Sequence, residues 1–218
     1  MSGTHVGSVR DVGAMDALFW ELRRSCALGR VLEIGCGTGE LVRRLVEHGV
    51  NAFGVERDPN AVREAGRRTP GRCRLMGEAG LPFADGEFDT VLCVNGLSRA
   101  PEDEVERLIG EIRRVATRHV YLRLESNRFR TREWWDARFL RAGFRRHPAL
   151  LRMVDYGSLE DESRGVVLLL ERIPESALAC YPLARLAAER DLHMDMLREA
   201  GRRSDAHLQR YAVAAGLV

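Results

Sequence analysis

A glycine-rich turn and a carboxylate about twenty residues further on are the residues of this sequence whose types and spacing best fit a chemical role. The apolar run at 31–34 leads into the turn Gly-Cys-Gly-Thr-Gly at 35–39, and Glu56 ends the run at 51–56. Glycine lets a ligand approach the backbone closely, and the first N–H groups of a following helix can bind it. A carboxylate at the end of the second strand can accept hydrogen bonds from both hydroxyls of a ribose. Together the two features predict a nucleoside-binding site.

The charge beside the turn indicates which nucleoside is bound. The dinucleotide fingerprint is G-x-G-x-x-G, whereas this chain has G-C-G-T-G, with Glu33 just ahead of the turn. A carboxylate there suits a cationic ligand and disfavours a pyrophosphate. S-adenosylmethionine carries an ammonium and a sulfonium, so the charge favours it over a nicotinamide dinucleotide. A nicotinamide-dependent reductase stays open as an alternative.

Four short segments carry a resemblance to a known family. They are V-L-E-I-G-C-G-T-G-E at 31–40, G-V-E-R-D-P at 54–59, the segment 77–91, and R-A-G-F at 141–144. In that order they resemble the first motif, the second motif, the third motif with the fourth strand, and the helix end before the sixth strand of class I S-adenosylmethionine-dependent methyltransferases, of the small-molecule, type 11-like kind. The resemblance spans about residues 15–173 and is specific at 31–97.

The first two motifs imply contacts to the methionine part and the ribose of S-adenosylmethionine, whose demethylated product is S-adenosylhomocysteine. The resemblance implies that Gly35, Cys36 and Gly37 contact the methionine part. Glu33 would neutralise its amino group, directly or through water. Glu56 would hold the ribose.

The later motifs imply contacts to the adenine and to the reacting methyl group. Arg57 lies where family members place an adenine-flanking side chain, and a guanidinium can stack there. Glu78 and the backbone of Ala79 would bind the adenine edge, although many relatives have Asp at the position of Glu78. Asn95 and Gly96 should face the methyl group.

No catalytic residue is assigned, because the in-line transfer of a methyl group from a sulfonium depends mainly on alignment, which can supply about 7–11 kcal/mol of the barrier. Candidate substrate contacts are His5, Trp134, Trp135 and Tyr156. The two tryptophans lie on an amphipathic helix, where core packing is the more frequent role of aromatic residues.

The acceptor is predicted to be a small molecule, in a biosynthetic pathway. The segment 94–97 is V-N-G-L, not the N-P-P-Y or D-P-P-Y of families that methylate exocyclic amines of nucleobases. No basic, aromatic-rich appended domain is evident, which argues against a nucleic-acid partner. The alternative is a non-catalytic methyltransferase-like module that binds a cofactor or serves a partner in a larger protein.

Strands and helices alternate along the chain, which predicts βαβ units and a doubly wound, Rossmann-like α/β fold. Strands are expected at 31–34, 51–56, 72–76, 88–94, 119–124, 145–151 and 165–171, and helices at 9–28, 40–48, 60–68, 102–117 and 131–142. The last two strands look like an antiparallel hairpin at the sheet edge. With the family resemblance, the prediction is a seven-stranded sheet of order 3-2-1-4-5-7-6 whose last strand is antiparallel.

After Pro174 the sequence has no strand pattern and is rich in Ala, Leu, Met and Arg. This change predicts a methyltransferase domain at 1–173 and a helical C-terminal extension at 174–218. The extension could be an arm that joins two subunits in a homodimer, a lid, or the start of a second domain. The last is favoured, since 202–218 resembles the helix that precedes a first motif in this family.

Composition narrows the remaining classes of protein. The formal net charge is only +2, which implies no bulk attraction to nucleic acid. The five cysteines are scattered without a C-x-x-C pair, so no metal site is expected and a reducing cytoplasm fits best. No apolar stretch approaches the roughly 20 residues of a membrane span, and the first thirty residues lack the apolar core of a secretory signal. The expectation is a cytoplasmic protein without a membrane partner.

Overall fold

A computed structural model describes residues 12–77, 80–94, 96–98, 100–125, 130–150 and 165–175 of the chain. The strands are β1 Arg30–Ile34, β2 Asn51–Glu56, β3 Cys73–Leu75, β4 Phe88–Val94, β5 Ala116–Leu124, β6 Phe144–Arg146 and β7 Val166–Arg172. The helices are α1 Val12–Ser25, α2 Glu40–Glu47, α3 Pro59–Arg68, α4 Glu102–Val115 and α5 Arg132–Arg141. Strands and helices therefore alternate as predicted from β1 to β3 and from β4 to β5, whereas a loop joins β3 to β4.

The strands form a seven-stranded sheet of order β3-β2-β1-β4-β5-β7-β6. The pairs β1–β2, β1–β4, β2–β3 and β4–β5 are parallel, whereas β7 is antiparallel to both β5 and β6. The predicted fold class and strand order are confirmed. The chain changes winding direction between β1 and β4, so the carboxyl ends of these two strands form the switch point where ligands bind in open α/β sheets.

Each face of the sheet is covered by its own hydrophobic cluster. Leu32 and Ile34 of β1 belong to a cluster with the apolar sides of α4 and α5, here called the first face. Val31 and Cys36 belong to a second cluster with α1 and α2, here called the second face. Because side chains alternate along a strand, a near-continuous apolar run such as β1 is buried on both sides.

Local sequence explains where the helices beside the site begin. Asp58 caps α3 by accepting from Asn60 N at 2.8 Å, and Pro59 occupies the first turn, where its missing N–H costs nothing. Helix α4 begins with three acidic residues and ends with Arg113 and Arg114, both of which match the helix dipole. The chain is thereby turned sharply at the end of β2 and after β4.

Several predicted boundaries need correction. Strand β6 was expected to reach residue 151 but ends at Arg146, because the chain turns and Leu150 N donates to His147 O at 3.0 Å. Leu150 is buried against the second face, so its apolar character reflects a packed turn and not a strand. Strand β5 begins at Ala116, earlier than expected, since Ala116 takes an extended backbone and pairs with Phe88.

The predicted extension at 174–218 lies almost wholly outside the described residues, which end at Glu175. The division into two domains therefore stays a prediction. Within the described part of the chain, no helix has the length and apolar character that a membrane crossing requires.

Candidate functional site

The glycine turn after β1 is held by backbone contacts to the neighbouring strand. Gly35 N and Cys36 N both donate to Val55 O, at 2.8 and 3.1 Å. Gly35 and Gly37 have φ angles of 72° and 54°, in the left-handed region that L side chains rarely adopt. The turn is therefore fixed in a conformation that requires glycine.

Glu56, the last residue of β2, reaches across to this turn. Its Oε2 accepts from Gly37 N at 2.8 Å, and its Oε1 accepts from Arg57 N at 2.6 Å and from Asp58 N at 3.2 Å. A carboxylate has about four lone-pair positions, so one remains open while the three N–H groups are bound. A ligand with two adjacent hydroxyls can use that position and displace one N–H donor.

The ends of β1 and β4 approach each other closely. A Cβ atom at Gly35 would lie 3.4 Å from Gly96 Cα, and one at Gly96 would lie 3.2 Å from Ile34 O and 3.1 Å from Cys93 Sγ. Glycine at both positions thus allows the two strand ends to meet. Gly96 lies at the same edge as Glu56 and the turn, as the motifs predict.

A cavity of about 300 Å³ lies at this edge, and a larger one of about 680 Å³ adjoins it. The smaller cavity is lined by residues that include Ile34, Gly35, Glu56, Val94 and Gly96. Both cavities share Arg57, Met76, Glu104 and Leu108. Their combined size falls in the range of about 300–1,000 Å³ that is usual for sites of small ligands.

An ion pair between Arg57 and Glu104 joins the end of β2 to the first turn of α4 beside both cavities. The Arg57 side chain is 54% exposed and the Glu104 side chain 18% exposed. The second motif identifies Arg57 but nothing in the sequence identifies Glu104. Glu104 is one of three acidic residues at the start of a helix, where the helix dipole alone explains their presence. Only the crossover from β4 to α4 brings Glu104 to Arg57.

The loop between β3 and β4 is fixed to α4 by two charged side chains. Glu111 Oε2 accepts from Leu81 N at 2.8 Å, and Arg114 donates to Phe83 O at 2.7 Å and to Leu81 O at 3.0 Å. The hydrogen bond from Arg114 lowers the pKa of the Glu111 carboxyl. The predicted adenine contacts Glu78 and Ala79 belong to this loop but lie outside the described residues.

Glu33 and Cys36 lie on the second face of the sheet, next in sequence to the cavity-lining residues Ile34 and Gly35. Glu33 is fully buried in β1, level with Gly54 of β2 and Leu92 of β4. Its neighbour Ile34 lines the smaller cavity, whereas Glu33 lies on the opposite face with Val31. A contact from Glu33 to a ligand amino group therefore stays a prediction.

Of the four predicted substrate residues, the structure describes the two tryptophans. Trp135 is 1% exposed and belongs to the first-face cluster, which supports the packing alternative for this residue. Trp134 is covered by Arg138, whose Cζ lies 3.4 Å from the ring centroid. His5, Tyr156 and the predicted methyl-facing Asn95 lie outside the described residues.

Polar side chains that the sequence did not single out lie beside the carboxyl end of β4. Arg123 of β5 is exposed and pairs in register with Val94, which lines the smaller cavity. Tyr121, two residues earlier, is buried, and that burial raises its pKa to about 12. Within the part of the chain that the structure describes, no three His, Cys, Asp or Glu side chains are grouped as metal ligands.

Fold and geometry together define a doubly wound α/β protein with a cavity beside the glycine turn and Glu56 at its switch point. Residues 31–119 match a family model described as a methyltransferase domain. The chain is 38% identical over 89 residues to a demethylmenaquinone methyltransferase of Beutenbergia cavernae, covering 38% of this chain and 37% of the relative. It is 37% identical over 94 residues to a phosphatidylethanolamine N-methyltransferase of Cereibacter sphaeroides, covering 40% of this chain and 45% of the relative. The aligned part spans less than half the length of either relative.

The same fold occurs in solved structures. A TehB-like S-adenosylmethionine-dependent methyltransferase from Corynebacterium glutamicum superposes with a TM-score of 0.59 at 17% identity, covering 73% of this chain and 87% of that one. The predicted resemblance is confirmed at this level: residues 31–119 match the methyltransferase-domain model, and the sheet has the fold of a solved S-adenosylmethionine-dependent methyltransferase.

Proposed function

We propose that this chain binds S-adenosylmethionine at the switch point and transfers its methyl group to a small-molecule acceptor. One observation carries the proposal: the Glu56 carboxylate accepts a hydrogen bond from Gly37 N at 2.8 Å, beside the smaller cavity, which Glu56 and Gly35 line. A carboxylate and a glycine turn held together in this way can take the ribose and the chain of an adenosyl ligand at the same time.

The residues at the cavity fit the parts of the ligand. Glu56 would accept from the ribose hydroxyls, and the exposed guanidinium of Arg57 would flank the adenine. Gly35, Cys36 and Gly37, with the charge of Glu33, would hold the methionine part. Glu78, Ala79, Asn95 and Gly96 complete the proposed set on the strength of the motifs.

The bound cofactor supplies an electrophilic methyl group on a positively charged sulfur. The chain's own contribution is to orient the acceptor behind that methyl group and to exclude water from the smaller cavity. Gly96 allows the close approach of the two strand ends, since a Cβ atom there would lie only 3.2 Å from Ile34 O, and Gly35 leaves the opposite side of the approach free of a side chain. A proton lost by the acceptor can pass to solvent, so no base among the described residues is required.

Two observations support a small-molecule acceptor. The named relatives include enzymes for a quinone precursor and for a phospholipid. The net charge of +2 supplies no general attraction to nucleic acid. A cytoplasmic location, and a homodimer or second domain through 174–218, remain part of the proposal.

Calorimetric titration with S-adenosylmethionine and S-adenosylhomocysteine tests cofactor binding, and release of S-adenosylhomocysteine from a panel of small acceptors tests turnover. Glu56→Ala should weaken binding by about 1.5–3 kcal/mol for each hydroxyl contact that is lost, since hydrogen bonds to charged groups contribute that much. Glu64→Ala, on the exposed side of α3, is the matched control and should leave affinity unchanged.

Three other outcomes would contradict parts of the proposal. Equal affinity of Glu56→Ala and the unmutated protein would remove the ribose assignment. Tight binding without turnover on any acceptor would favour the non-catalytic module. A rise in melting temperature with a nicotinamide dinucleotide, and none with S-adenosylmethionine, would favour a reductase.

A further inference from the structure

Two cysteines that are distant in sequence meet beneath the glycine turn. Cys73 of β3 is the register partner of Gly54 of β2. Cys36, in the turn, packs over the same glycine: a Cβ atom at Gly54 would lie 2.6 Å from Cys36 Sγ and 2.8 Å from Cys36 Cβ. The space that a side chain at position 54 would fill therefore holds a thiol instead, beside Cys73.

The two cysteines share the space beside Gly54 but differ in environment. Cys36 Sγ lies over Gly54, Cys73 is the register partner of that glycine, and Cys73 Sγ lies 3.6 Å from Thr69 Oγ1. Cys36 is 1% exposed, whereas Cys73 is partly exposed at the edge strand of the sheet. A small oxidant from solvent can therefore reach Cys73 first.

The surroundings of the two thiols shift their pKa values in opposite directions. The neighbouring Cys36 side chain lowers the pKa of Cys73 below its usual value. The neighbouring Cys73, burial, and the nearby carboxylates of Glu33 and Glu56 raise the pKa of Cys36. The nucleophilic thiolate thus forms on the accessible residue, and the protonated thiol lies behind it.

We propose that Cys36 and Cys73 are an oxidation site at which hydrogen peroxide forms a disulfide that switches off cofactor binding. The Cys73 thiolate attacks one peroxide oxygen, the O–O bond breaks, and hydroxide leaves, so that Cys73 becomes a sulfenic acid. Cys36 sulfur then attacks the Cys73 sulfur, and the S–O bond breaks. The proton of Cys36 leaves with the sulfenic oxygen as one water, and the proton that Cys73 released on ionising converts the hydroxide into a second, so two thiols and one peroxide yield one disulfide and two waters.

The bond would act on the turn that holds the cofactor. A disulfide requires its two Cβ atoms about 3.8 Å apart, which draws Cys36 towards β3. The neighbouring bonds from Gly35 N and Cys36 N to Val55 O, and from Gly37 N to Glu56, then lose their geometry. The effect on binding rests on the proposed function, whereas formation of the disulfide does not.

The test compares reduced and peroxide-treated protein by peptide mapping and by calorimetry with S-adenosylmethionine. Trypsin releases 31–43, which contains Cys36, and the dipeptide Cys73–Arg74. After peroxide the two should appear as one linked species that a dithiol reductant separates. Affinity should fall at least tenfold on oxidation and return on reduction.

Two variants make the assignment specific. Cys73→Ser should bind the cofactor equally well before and after peroxide. Cys26→Ser is the control and should behave like the unmutated protein, because the Cys26 thiol, just after α1, donates to Leu22 O and burial raises its pKa to about 11. The mapping of the unmutated protein decides whether the disulfide forms, even if a variant fails to fold.

Separate results contradict the switch and the proposed function. Unlinked Cys36 and Cys73 after peroxide would overturn the oxidation site, and a linked protein with unchanged affinity would overturn its effect on binding. Reduced protein that ignores S-adenosylmethionine would contradict the proposed function and the switch together, while the linked peptide would still establish the disulfide.

Discussion

The half of the sheet around β1 and β2 and the half around β5, β6 and β7 are built by different means. In the first half, backbone groups of the glycine turn and the Glu56 carboxylate form one side of the cavity, within 31–56. In the second half, charged side chains hold the fold together: Asp136 pairs with Arg146, and Arg132 donates to the backbone Val167 O at 2.6 Å. Charged and aromatic residues occur in both halves, but those of the second half stabilise the fold, whereas those of the first half lie where we propose that the ligand binds.

The largest effect that this comparison predicts is on stability in the second half. Trp135→Ala should lower the free energy of unfolding by about 3–5 kcal/mol, the usual cost of removing a buried large aromatic side chain. Trp135 is 1% exposed and packs in the first-face cluster. Urea unfolding measures the loss, and calorimetry on the folded variant should give an unaltered affinity for S-adenosylmethionine. A stable variant with a raised KM for the acceptor would restore Trp135 as a substrate contact.

The next effect concerns the backbone of the first half. Gly35→Ala should weaken cofactor binding severalfold and destabilise the fold by roughly 1–2 kcal/mol, because a left-handed φ is strained for an L residue. A Cβ there would also lie 3.4 Å from Gly96 Cα. Gly66→Ala, in α3 with open space around its Cβ position, is the matched control and should not reduce affinity. Equal affinity in both variants would contradict the role of the turn.

A smaller effect is expected from the contact that fixes the loop between β3 and β4 to α4; this loop lines the larger cavity. The hydrogen bond from Arg114 lowers the pKa of Glu111 in the folded state, so the ion pair stabilises the fold fully above the unfolded pKa near 4.5. That contribution is lost as pH falls through the lowered, folded-state pKa. Thermal melting of Glu111→Gln should show a lower melting temperature than the unmutated protein at neutral pH, and the difference should vanish in acid. A difference that persists undiminished in acid would show that charge is not its origin.

The smallest expected effect is on the ion pair beside the cavities. Glu104→Gln removes the partner of a half-exposed Arg57, and exposed ion pairs contribute about 0–1 kcal/mol. The affinity for S-adenosylmethionine should change by less than about fivefold, and the change should disappear at high salt. Asp103→Asn, its more exposed neighbour in the sequence, is the control. A large, salt-independent loss would mean that Glu104 contacts the ligand itself.

The same contrast explains what the sequence could predict. The strands, the turn and the place of Glu56 were predictable, because hydrophobic periodicity and a short motif specify them locally. The order of the strands in the sheet followed from the family resemblance. Glu104 was missed because its partner comes from a different βα unit. The meeting of Cys36 with Cys73 was missed for a similar reason, since only the pairing of β2 with β3 brings them together.

The acceptor side could not be predicted to the same extent. Trp134 and Trp135 have the composition of a binding surface, yet the structure covers one with Arg138 and buries the other. Amphipathic spacing gives the same pattern for a packed aromatic and for one that contacts a ligand. The residues at 151–164 lie outside those described, so their part in acceptor binding stays a prediction.

The central claim is that Glu56 and the glycine turn hold an adenosyl ligand through its ribose. The most direct measurement compares S-adenosylhomocysteine with its 2′,3′-dideoxy analogue by calorimetry, in the unmutated protein and in Glu56→Ala. The account predicts that removing the hydroxyls weakens binding at least tenfold in the unmutated protein and has little further effect in Glu56→Ala, since the same contacts are lost only once. Equal losses in the two proteins, or binding of neither ligand by the folded protein, would contradict it.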